Sequence, residues 1–408
     1  MTYEIRELTD DGLDDFRQAI ASGFGDDVDL DDQMSRERFA AVFPRERMYP
    51  VYKGNRIVGT GGDFELMLTV PGGAQVPMSG LTIITVQPDQ TRRGVLRAMM
   101  RRHIDLAHDR AEPLGGLWAS EVPIYGRFGY GPAVSIRSIK YDARQVGRGE
   151  AEAGATVRLI EAEEAAELLP PLFAAVQAER PGMFQRSETW WKYRLFYDPE
   201  KHRDGASALR HALAEVAGEP AGYMTYRQKS NWDDFRGEVR IREILAASDA
   251  AYRSLWHYAS NIDLFPIVKY WDLPVDDPLD HLFYDGRGVK TTDLSDSLWI
   301  RLIDVVDALG RRTYGRDGTI AISLSDDFAE WNQGTYRLEI DGGMGSCEQI
   351  RGDGDVAMDV ATLGSLYLGG RDATGLARVG KIDGSPEAIA SLDAVFRGAV
   401  APWCPEIF

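Results

Sequence analysis

The sequence predicts a mixed α/β protein of the α+β class, and three observations support this fold class. Leu81–Met100 has the pattern of a β-branched strand, a short polar turn and an amphipathic helix. A related order of strand, helix, hairpin, strand and helix recurs after residue 156, and a different pattern begins near residue 285. We therefore expect two related domains followed by a third domain of another fold.

Each element of the first copy follows from a local pattern. Apolar residues at helical spacing predict the helices, and Gly54-Asn55 between two apolar runs predicts a hairpin turn. Gly59-Thr60-Gly61-Gly62 is most simply a strand bulge. The predicted elements are a strand at 2–7, a helix at 10–24, a hairpin at 49–61, a strand at 81–86 and a helix at 95–107.

The second copy and the third region are predicted from the same signals. The second copy is expected to contain a strand from residue 156, a helix at 162–180, a hairpin at 214–226, a strand at 238–246 and a helix at 249–260. The third region is expected to contain strands at 299–303, 319–324 and 335–340 and helices at 305–312, 361–368 and 386–396.

The turn Arg92-Arg93-Gly94 in the first copy predicts an anion site. Gly94 lets the backbone come close to a ligand, and the free N–H groups at the start of the next helix favour negative charge. Two arginines strengthen this preference in a chain whose net charge is −18. Phosphate fits this arrangement, although the same residues would also suit a solvated turn. The second copy has lost both arginines and the glycine, and its Asp249 would repel a phosphate.

A second segment with the signals of a functional site follows the first. Leu117–Glu121 predicts another strand, and Ile124–Gly131 predicts a helical turn with two tyrosines and a glycine-rich exit. This exit leads into the strand-like run Val134–Tyr141.

Together these segments resemble the GNAT acyl-CoA-dependent N-acetyltransferases. The general GNAT loop, (Arg/Gln)-x-x-Gly-x-(Gly/Ala), is matched only in part, because Thr91 and Leu96 occupy its first and last positions. The motifs TRRGVLRAM, ASExxIYGRFGYG, LYLGG and the terminal APWCPxxF look like those of the Eis (enhanced intracellular survival) acetyltransferases of actinobacteria and relatives. They extend from residue 81 to residue 408.

The Eis resemblance implies tandem GNAT folds, the second degenerate, followed by a sterol-carrier-protein-like α+β domain. The expected domains are residues 1–150 with the acetyl-CoA site, 151–288 without the cofactor motif, and 289–408, which contributes the terminal carboxylate. The resemblance also implies acetyl-CoA as the cosubstrate and aminoglycosides, polyamines or lysine side chains as acceptors. Antibiotic resistance and a homo-hexamer would follow from the same likeness.

The expected site residues are carried over from the family position by position. A phenol can protonate a departing thiolate, and Tyr125 stands where the family keeps its general acid, whereas Tyr130 is expected to pack against Phe128. The C-terminal carboxylate of Phe408 matches the family's general base, and burial or a water relay would have to raise its pKa. The expected cofactor-binding residues are Ile84, Thr85 and Val86 along the pantetheine, Arg92, Arg93, Gly94, Val95, Leu96 and Arg97 at the phosphates, and Ser120 and Glu121 at the far edge.

Phe24, Asp26 and Glu406 are the expected substrate-binding residues. Asp26 belongs to an acidic run that lacks the glycine and distal glutamate of a calcium loop, and a solvated loop is the usual explanation of such a run. The apolar ending Trp403–Phe408 would favour burial and would bring the terminal carboxylate inward. Glu406 and a water chain to Glu121 are the alternative bases.

Composition argues against several other classes of protein. The length of 408 residues suggests two to three domains, and the net charge of −18 argues against nucleic acid and favours cationic ligands. Two cysteines make no disulfide framework, and six scattered histidines predict no metal site. The N-terminus lacks a leader pattern and no apolar run would span a bilayer, so a cytoplasmic protein is expected, with export by an unrecognised route left open.

Two rival functions stay open at this point. If the third domain enclosed an apolar tunnel, the protein could be a lipid or sterol carrier with a vestigial acetyltransferase site. It could also acetylate one protein lysine rather than small polyamines. The intact Arg92-Arg93-Gly94 turn and Tyr125 argue against the carrier, and the acidic composition favours small cations.

Overall fold

The computed structural model describes residues 3–147, 152–233 and 236–408. These residues form three β-sheets with helices packed on them, so the predicted mixed α/β class is confirmed. The predicted boundary between residues 150 and 151 lies outside the described residues. No helix in the described part of the chain is both long and apolar enough to cross a membrane.

The first described stretch contains most of the elements predicted for the first copy. In chain order they are β1 (Glu4–Ile5), α1 (Leu13–Phe24), α2 (Gln33–Val42), β2 (Val51–Lys53), β3 (Arg56–Thr69), β4 (Gln75–Val86), α3 (Val95–Asp109), β5 (Leu114–Trp118), α4 (Val122–Tyr125), β6 (Gly131–Pro132), β7 (Ser135–Asp142) and α5 (Ala143–Val146). The predicted strand at 81–86 is the second half of a longer β4, and α2 was not predicted.

The remaining elements follow the order predicted for the second copy and the third region. The second copy contains β8 (Ala155–Ile160), α6 (Ala162–Gln177), α7 (Glu188–Trp190), β9 (Arg210–Val216), β10 (Glu219–Lys229), β11 (Glu238–Ala246), α8 (Asp249–Ser260), β12 (Ile267–Pro274), α9 (Leu279–Leu282) and β13 (Lys290–Asp296). The third region contains β14 (Leu298–Leu302), α10 (Val305–Gly310), β15 (Gly318–Ser325), β16 (Gly334–Asp341), β17 (Met344–Ile350), β18 (Val356–Asp359), α11 (Val360–Tyr367), α12 (Ala373–Arg378), β19 (Ile382–Gly384) and α13 (Pro386–Phe396).

The chain forms two compact units that are not continuous in sequence. Unit 1 contains Met1–Val134, Ser297–Ala399 and Glu406–Phe408. Unit 2 contains Ser135–Asp296 and Val400–Pro405. The three consecutive domains predicted with boundaries at residues 150 and 288 stay a prediction, whereas the compact units divide at residues 134–135 and 296–297.

An exchange of strands explains why the units are discontinuous. The strand β7, which follows the first copy in sequence, pairs with β12 and β13 in the sheet of unit 2. The strand β14, which follows the second copy, pairs with β5 and β6 in the first sheet of unit 1. Each copy of the duplicated fold is therefore completed by a strand from beyond the other copy's end.

The first sheet of unit 1 has the order β1-β2-β3-β4-β5-β14-β6. Its centre is the long antiparallel hairpin of β3 and β4. The register of this hairpin shifts between Thr60 and Gly62, so an irregularity is present where the bulge was predicted, but the extra residue lies on β4. The helix α3 packs on this sheet through one face, because its buried residues recur at helical spacing. That face is formed by Val95, Met99, Met100, His103, Ile104 and Ala107.

The other two sheets complete the units. The sheet of unit 2 has the order β13-β7-β12-β11-β10-β9-β8 and carries α8, whose Trp256 is fully buried. The third region forms a five-stranded sheet of unit 1 with the order β17-β16-β15-β18-β19. In the same unit, α11 packs against β14.

Candidate active site

The candidate site begins where two neighbouring strands of unit 1 separate. The parallel pairing of β4 with β5 joins Met78–Gly80 to Leu114–Gly116 and ends there. Both strands continue, β4 to Val86 and β5 to Trp118. Because adjacent strands are held together by backbone hydrogen bonds, the separated ends leave an opening, which we call the strand gap.

A β-bulge shapes the β4 side of the strand gap. Ile83 and Ile84 lie opposite the single residue Gly61, and Ile83 has a positive φ of 47°. The Thr60 hydroxyl donates a hydrogen bond to the Ile83 carbonyl at 2.8 Å and lies 2.7 Å from the Thr85 hydroxyl. A bulge changes the direction in which the side chains and backbone groups of a strand point. A β-branched residue such as Ile83 is strained at positive φ, and such strain is found most often at functional sites.

A cavity of about 650 Å³ adjoins the strand gap, and we call it the strand-gap cavity. Its volume lies in the range of small-molecule and cofactor sites, roughly 300–1,000 Å³. Its lining residues are Gly23, Phe24, Ile84, Thr85, Val86, Gln90, Thr91, Arg92, Gly94, Val95, Leu96, Arg97, Ser120, Glu121, Ile124, Tyr125, Arg127 and Phe128.

The loop before α3 forms the cationic end of this cavity. Gly94 precedes the helix with φ of 88°, a value that glycine adopts without strain, and Arg92 has φ of 60°. A Cβ atom on Gly94 would meet no atom within 4 Å, so the space in front of the loop is open to a ligand. The first N–H groups of α3 have no acceptor within the helix, and they and the guanidinium of Arg97 favour a bound anion.

Tyr125 also lines the strand-gap cavity. It ends α4 and is only 6% exposed, packed in the cluster that includes Leu81 and Met100. Burial raises the pKa of the Tyr125 hydroxyl above its ordinary value, the nearby Ser120 lowers it, and Glu121 raises it further. The phenol is therefore protonated at neutral pH and can donate its proton.

Tyr130 has a different environment although it follows only five residues later. It is fully buried, and its hydroxyl lies 2.7 Å from Nε2 of His103. Burial raises the pKa of Tyr130 far above its ordinary value. The prediction that it would pack against Phe128 is incomplete, because the polar contact with His103 holds the hydroxyl inside the protein.

The chain terminus packs on the same sheet. The Phe408 ring is 9% exposed and makes an edge-to-face contact with Phe64 of β3, with ring centres 6.5 Å apart. A Cβ atom on Gly80 would lie 3.1 Å from Phe408 Cε2. Gly80 is the last residue of β4 that pairs with β5, so the terminal ring contacts β4 where the strand gap opens.

The strand-gap cavity brings together most of the predicted cofactor-binding residues. All of them except Arg93 line it, and so does Phe24, which was predicted to bind substrate. Asp26 is exposed, Glu406 is buried, and neither lines this cavity. The lining residues that the sequence did not select are Gly23, Gln90, Thr91, Ile124, Arg127 and Phe128. Their proximity in sequence to selected residues was the available signal.

The second copy also has a gap between two parallel strands, but a side chain of the protein lies there. The strands β11 and β12 pair in parallel only as far as Ile241 and Tyr270 and then separate. Trp403 from the C-terminal segment lies beside Leu245 and Leu273 there, and its indole N–H donates to the carbonyl and carboxylate of Asp272 at 3.1 and 3.2 Å. Only about 150 Å³ of cavity is left around it.

The loop of the second copy also lacks the anion site. Ser248 caps α8 by accepting a hydrogen bond from the N–H of Ala251, and Asp249 begins the helix. A capping hydroxyl satisfies a helix N–H that a phosphate would otherwise use, and the carboxylate repels a second anion. Among the described residues, no group of three or more His, Cys, Asp or Glu side chains has the geometry to hold a metal ion.

Comparison with known protein families agrees with this architecture. Residues 4–133 match the model of an acetyltransferase (GNAT) domain, and residues 182–302 match a second acetyltransferase (GNAT) domain model. Residues 305–405 match the sterol carrier protein domain. The fold and the site therefore define a GNAT N-acetyltransferase with tandem GNAT domains and a sterol-carrier-protein-like C-terminal domain, as predicted.

Individual relatives identify the branch. The N-acetyltransferase Eis of Mycobacterium tuberculosis is 31% identical over 357 residues, which cover 85% of each chain. An uncharacterised N-acetyltransferase of Streptomyces avermitilis is 35% identical over 413 residues and all of both chains. The crystal structure of Eis1 from Mycobacterium abscessus superposes with a TM-score of 0.87 at 28% identity, over 99% of this chain and 100% of that chain. The chain belongs to the Eis family of N-acetyltransferases.

Proposed function

We propose that the protein transfers the acetyl group of acetyl-CoA to amines of cationic small molecules, and that the strand-gap cavity of the first copy binds the donor. The observation that carries the proposal is that an open anion-binding loop, a stretch of β4 beyond its pairing with β5 and a buried phenol all lie along one cavity. The loop suits a pyrophosphate, and the open strand edge suits the amide groups of a pantetheine arm.

Bound acetyl-CoA would supply an activated acetyl thioester. Arg92, Arg97 and the N-terminus of α3 hold the phosphate end by charge and by N–H donation. The backbone of Ile84–Val86 orients the extended part of the donor along β4. Fixing the thioester beside a bound amine accounts for much of the acceleration that acyl transfer requires.

Tyr125 acts as the general acid of the transfer. The carbon–sulfur bond breaks as the new carbon–nitrogen bond forms, and the departing thiolate takes the phenolic proton. Since the thiol and the phenol have ordinary pKa values of about 8.5 and 10, this proton transfer is close to balanced. Burial keeps Tyr125 protonated until it is needed.

The terminal carboxylate of Phe408 acts as the base that accepts the proton of the attacking amine. The support is the packing of the Phe408 ring against Phe64 and Gly80, beside the opening of the strand gap. A carboxylate is a weak base in water, and an apolar surrounding raises its proton affinity. Glu406, which is 4% exposed, is the alternative.

Cationic amines are the proposed acceptors, with polyamines, aminoglycosides and lysine side chains as the candidate classes. The net charge of −18 attracts cations to the protein, and Phe24 places an aromatic surface on the cavity wall. The Eis proteins of Mycobacterium bovis and Mycobacterium tuberculosis are N-acetyltransferases by name, which supports an amine as the acceptor. A homo-hexamer is the proposed assembly, on the family resemblance alone.

The proposal is tested by measuring free coenzyme A thiol released from acetyl-CoA in the presence of a panel of amines. The panel contains a polyamine, an aminoglycoside, a lysine-containing peptide and a neutral amine of similar size. We expect release to depend on a cationic small molecule and to be slow with the peptide. Release that is equal without any amine would contradict the proposal, and release that is fastest with the peptide would assign the activity to lysine side chains rather than to small cations.

The sterol-carrier-protein-like domain supports one competing function. A lipid carrier with an inactive acetyltransferase site would bind a fluorescent sterol or fatty acid and would release no thiol with any amine. The same preparation can be used for both measurements, so the two functions give opposite results.

A further inference from the structure

The third region supplies a segment that packs on α3 outside the strand-gap cavity. Residues 326–332, which we call the 326–332 loop, follow the end of β15. Trp331 of this loop stacks on His108 with ring centres 4.4 Å apart, and Phe328 lies under two arginines of the same helix. The loop therefore lies along the helix whose first turn lines the cavity.

Asp326 fixes the shape of this loop. Its Oδ1 accepts hydrogen bonds from the N–H groups of Phe328 and Ala329 at 3.0 and 2.9 Å. Its Oδ2 accepts from Arg301 at 2.6 Å and from the Asn332 amide at 3.2 Å. Asp326 and Arg301 are buried, so a change in one would leave the charge of the other uncompensated.

Arg301 extends the same network to the turn that follows Tyr125. Its Nη1 donates to the Phe128 carbonyl at 2.5 Å. The next residue, Gly129, has φ of 83°, and a Cβ atom there would lie 1.7 Å from Nη1 of Arg301. The turn can therefore have only glycine at this position, because the guanidinium occupies the space of any side chain.

Phe328 contacts two walls of the cavity without lining it. Its ring meets Phe128 edge to face, with centres 5.1 Å apart and planes at 78°. On the other side, the guanidinium carbon of Arg97 lies 5.1 Å from the ring centre, and that of Arg101 lies 4.2 Å away. Phe128 and Arg97 both line the strand-gap cavity, whereas Phe328 does not.

We propose that Phe328 is a positioning residue for acetyl transfer, held in place by Asp326 and Arg301. Its ring face sets the position of Arg97 at the phosphate end of the cavity, and its edge-to-face contact with Phe128 sets the position of that residue in the turn that follows Tyr125. The inference rests on the proposed function, because it assigns Phe328 an effect on acetyl-CoA affinity and turnover. It gives the third region a part in the reaction that is separate from the chain terminus.

The geometry favours this role over simple core packing. Phe328 differs from other buried rings of the chain in two respects. Asp326 fixes its backbone N–H and that of Ala329, and its ring contacts two residues that line the strand-gap cavity. Arginine is attracted to the face of an aromatic ring, and this contact orients a long side chain that is otherwise mobile. An Arg97 that is held in place loses less freedom when it binds a phosphate.

The test replaces Phe328 with leucine, which keeps apolar bulk and removes the ring face. We expect the Kd of acetyl-CoA, measured by calorimetry, to rise about two- to thirtyfold, the range of a cation–π contact. We expect kcat to fall as well, because Phe128 loses its neighbour. If the Phe328→Leu protein does not fold, as judged by its melting curve, Phe328→Met is measured in its place.

Phe173→Leu in unit 2 is the matched control. Phe173 is 2% exposed, against 3% for Phe328, and it also has an arginine over its face and an aromatic ring at its edge, Arg186 at 3.7 Å and Trp191 at 5.6 Å. It does not line the strand-gap cavity. We expect this variant to lower thermal stability and to leave the Kd of acetyl-CoA unchanged.

A double-mutant cycle decides whether Phe328 acts through Arg97. In an Arg97→Ala background, Phe328→Leu should cause no further rise in the Kd of acetyl-CoA. An undiminished effect in that background, or unchanged Kd and kcat in the single variant, overturns the inference. If the unaltered protein bound no acetyl-CoA at all, the proposed function would fail first, and the two failures are therefore distinguishable.

Discussion

Tyr125 and Tyr130 show how the surroundings of one side-chain type decide its chemistry. Both phenols are buried, and burial raises the pKa of each. Tyr125 faces a cavity and has Ser120 and Glu121 beside it, whereas the Tyr130 hydroxyl is held by His103. A phenol that faces a cavity can meet a substrate, and one bonded to an interior histidine cannot.

Tyr125→Phe should lower turnover by about two to four orders of magnitude, as the removal of a general acid does. The Kd of acetyl-CoA should change little, since the ring still fills its place. Because its pKa is raised, Tyr125 stays protonated through neutral pH, and wild-type turnover should lose this acid only above about pH 10. Steady-state kinetics from pH 6 to 10.5 check both statements.

Tyr130→Phe is the control for that measurement. It should cost stability through the lost contact with His103, on the order of 1 kcal/mol, and should leave the pH profile of turnover unchanged. If Tyr130→Phe reduced turnover more than Tyr125→Phe, the acid would have been assigned to the wrong tyrosine.

The two arginines of the loop should contribute differently to the affinity for acetyl-CoA. Arg92 lines the strand-gap cavity and Arg93 does not. Arg92→Ala should raise the Kd of acetyl-CoA about ten- to a hundredfold through the loss of charge-assisted hydrogen bonds, and Arg93→Ala should raise it much less. Calorimetry at two salt concentrations measures this, and equal losses for the two variants would mean that only net charge matters.

At this scale the sequence selected cofactor-site candidates that mostly line one cavity, and it selected acceptor-site candidates that are more scattered. The loop and the turn are local patterns, so Arg92, Gly94 and Tyr125 could be selected from neighbouring residues alone. Asp26 and Glu406 lie outside the strand-gap cavity, and their proposed part in substrate binding stays a prediction.

Among the elements, the β3–β4 hairpin is supported by a buried network of charges. Arg47 Nη1 lies 2.5 Å from Asp63 on β3, Arg47 Nη2 lies 2.5 Å from Glu112, and Arg110 contacts Asp63 at 3.0 Å. Burial opposes ionisation of Asp63, but His103 and Arg47 outweigh it and hold the pKa of Asp63 below its ordinary value. The charged form is therefore favoured in the folded protein.

Asp63→Ala should lower the free energy of unfolding by about 3–5 kcal/mol, because two arginines would lose a buried partner. The stabilisation by Asp63 should also decrease at low pH. The stabilisation by Asp63 is fully present above the ordinary carboxylate pKa of about 3.9 and is lost as pH falls through the lower pKa of the folded protein. Denaturant unfolding at several pH values measures both effects.

Asp89→Ala is the matched change at the surface. Asp89 pairs with Arg56 at 2.8 Å, but both side chains are more than half exposed, so the pair is screened by water. We expect little change in stability, and an effect as large as that of Asp63→Ala would contradict the importance of burial.

The elements were more predictable than their pairings. Helical spacing gave α1, α3 and α8 to within a few residues, because such patterns are local. The Arg47–Asp63–Glu112 network was not predicted, since these residues are distant in sequence and nothing local links them. The contact between Phe328 and Arg97 was not predicted for the same reason, because the two residues are far apart in sequence.

For the whole molecule, the C-terminal segment Trp403–Phe408, which we call the tail, is the part that follows the third region and supplies the proposed base. Adding a short peptide after Phe408 converts its carboxylate into an amide and places further residues where the ring packs on Phe64. Turnover should fall at least about a hundredfold, as for the loss of a general base, while acetyl-CoA still binds. Kinetics and calorimetry on the tagged protein check this.

The same peptide added before Met1 is the control for the tail experiment and should be tolerated. Full activity in the C-terminally extended protein would exclude the Phe408 carboxylate as the base and would leave Glu406 to be tested by substitution.

The exchange of β7 and β14 between the units could not be predicted from the sequence, because the residue pattern of a strand does not specify which sheet the strand joins.

The position of Trp403 bears on how many donor molecules one chain can bind. The indole lies at the second strand gap, where about 150 Å³ of cavity remains, whereas the strand-gap cavity of the first copy measures about 650 Å³. An inhibitor shaped like a pantetheine thioester would saturate at one equivalent per chain. Trp403 is one of nine tryptophans in the chain. In a variant that keeps only this tryptophan, a shift of fluorescence to longer wavelength would report that the segment leading to the last residue had withdrawn into water.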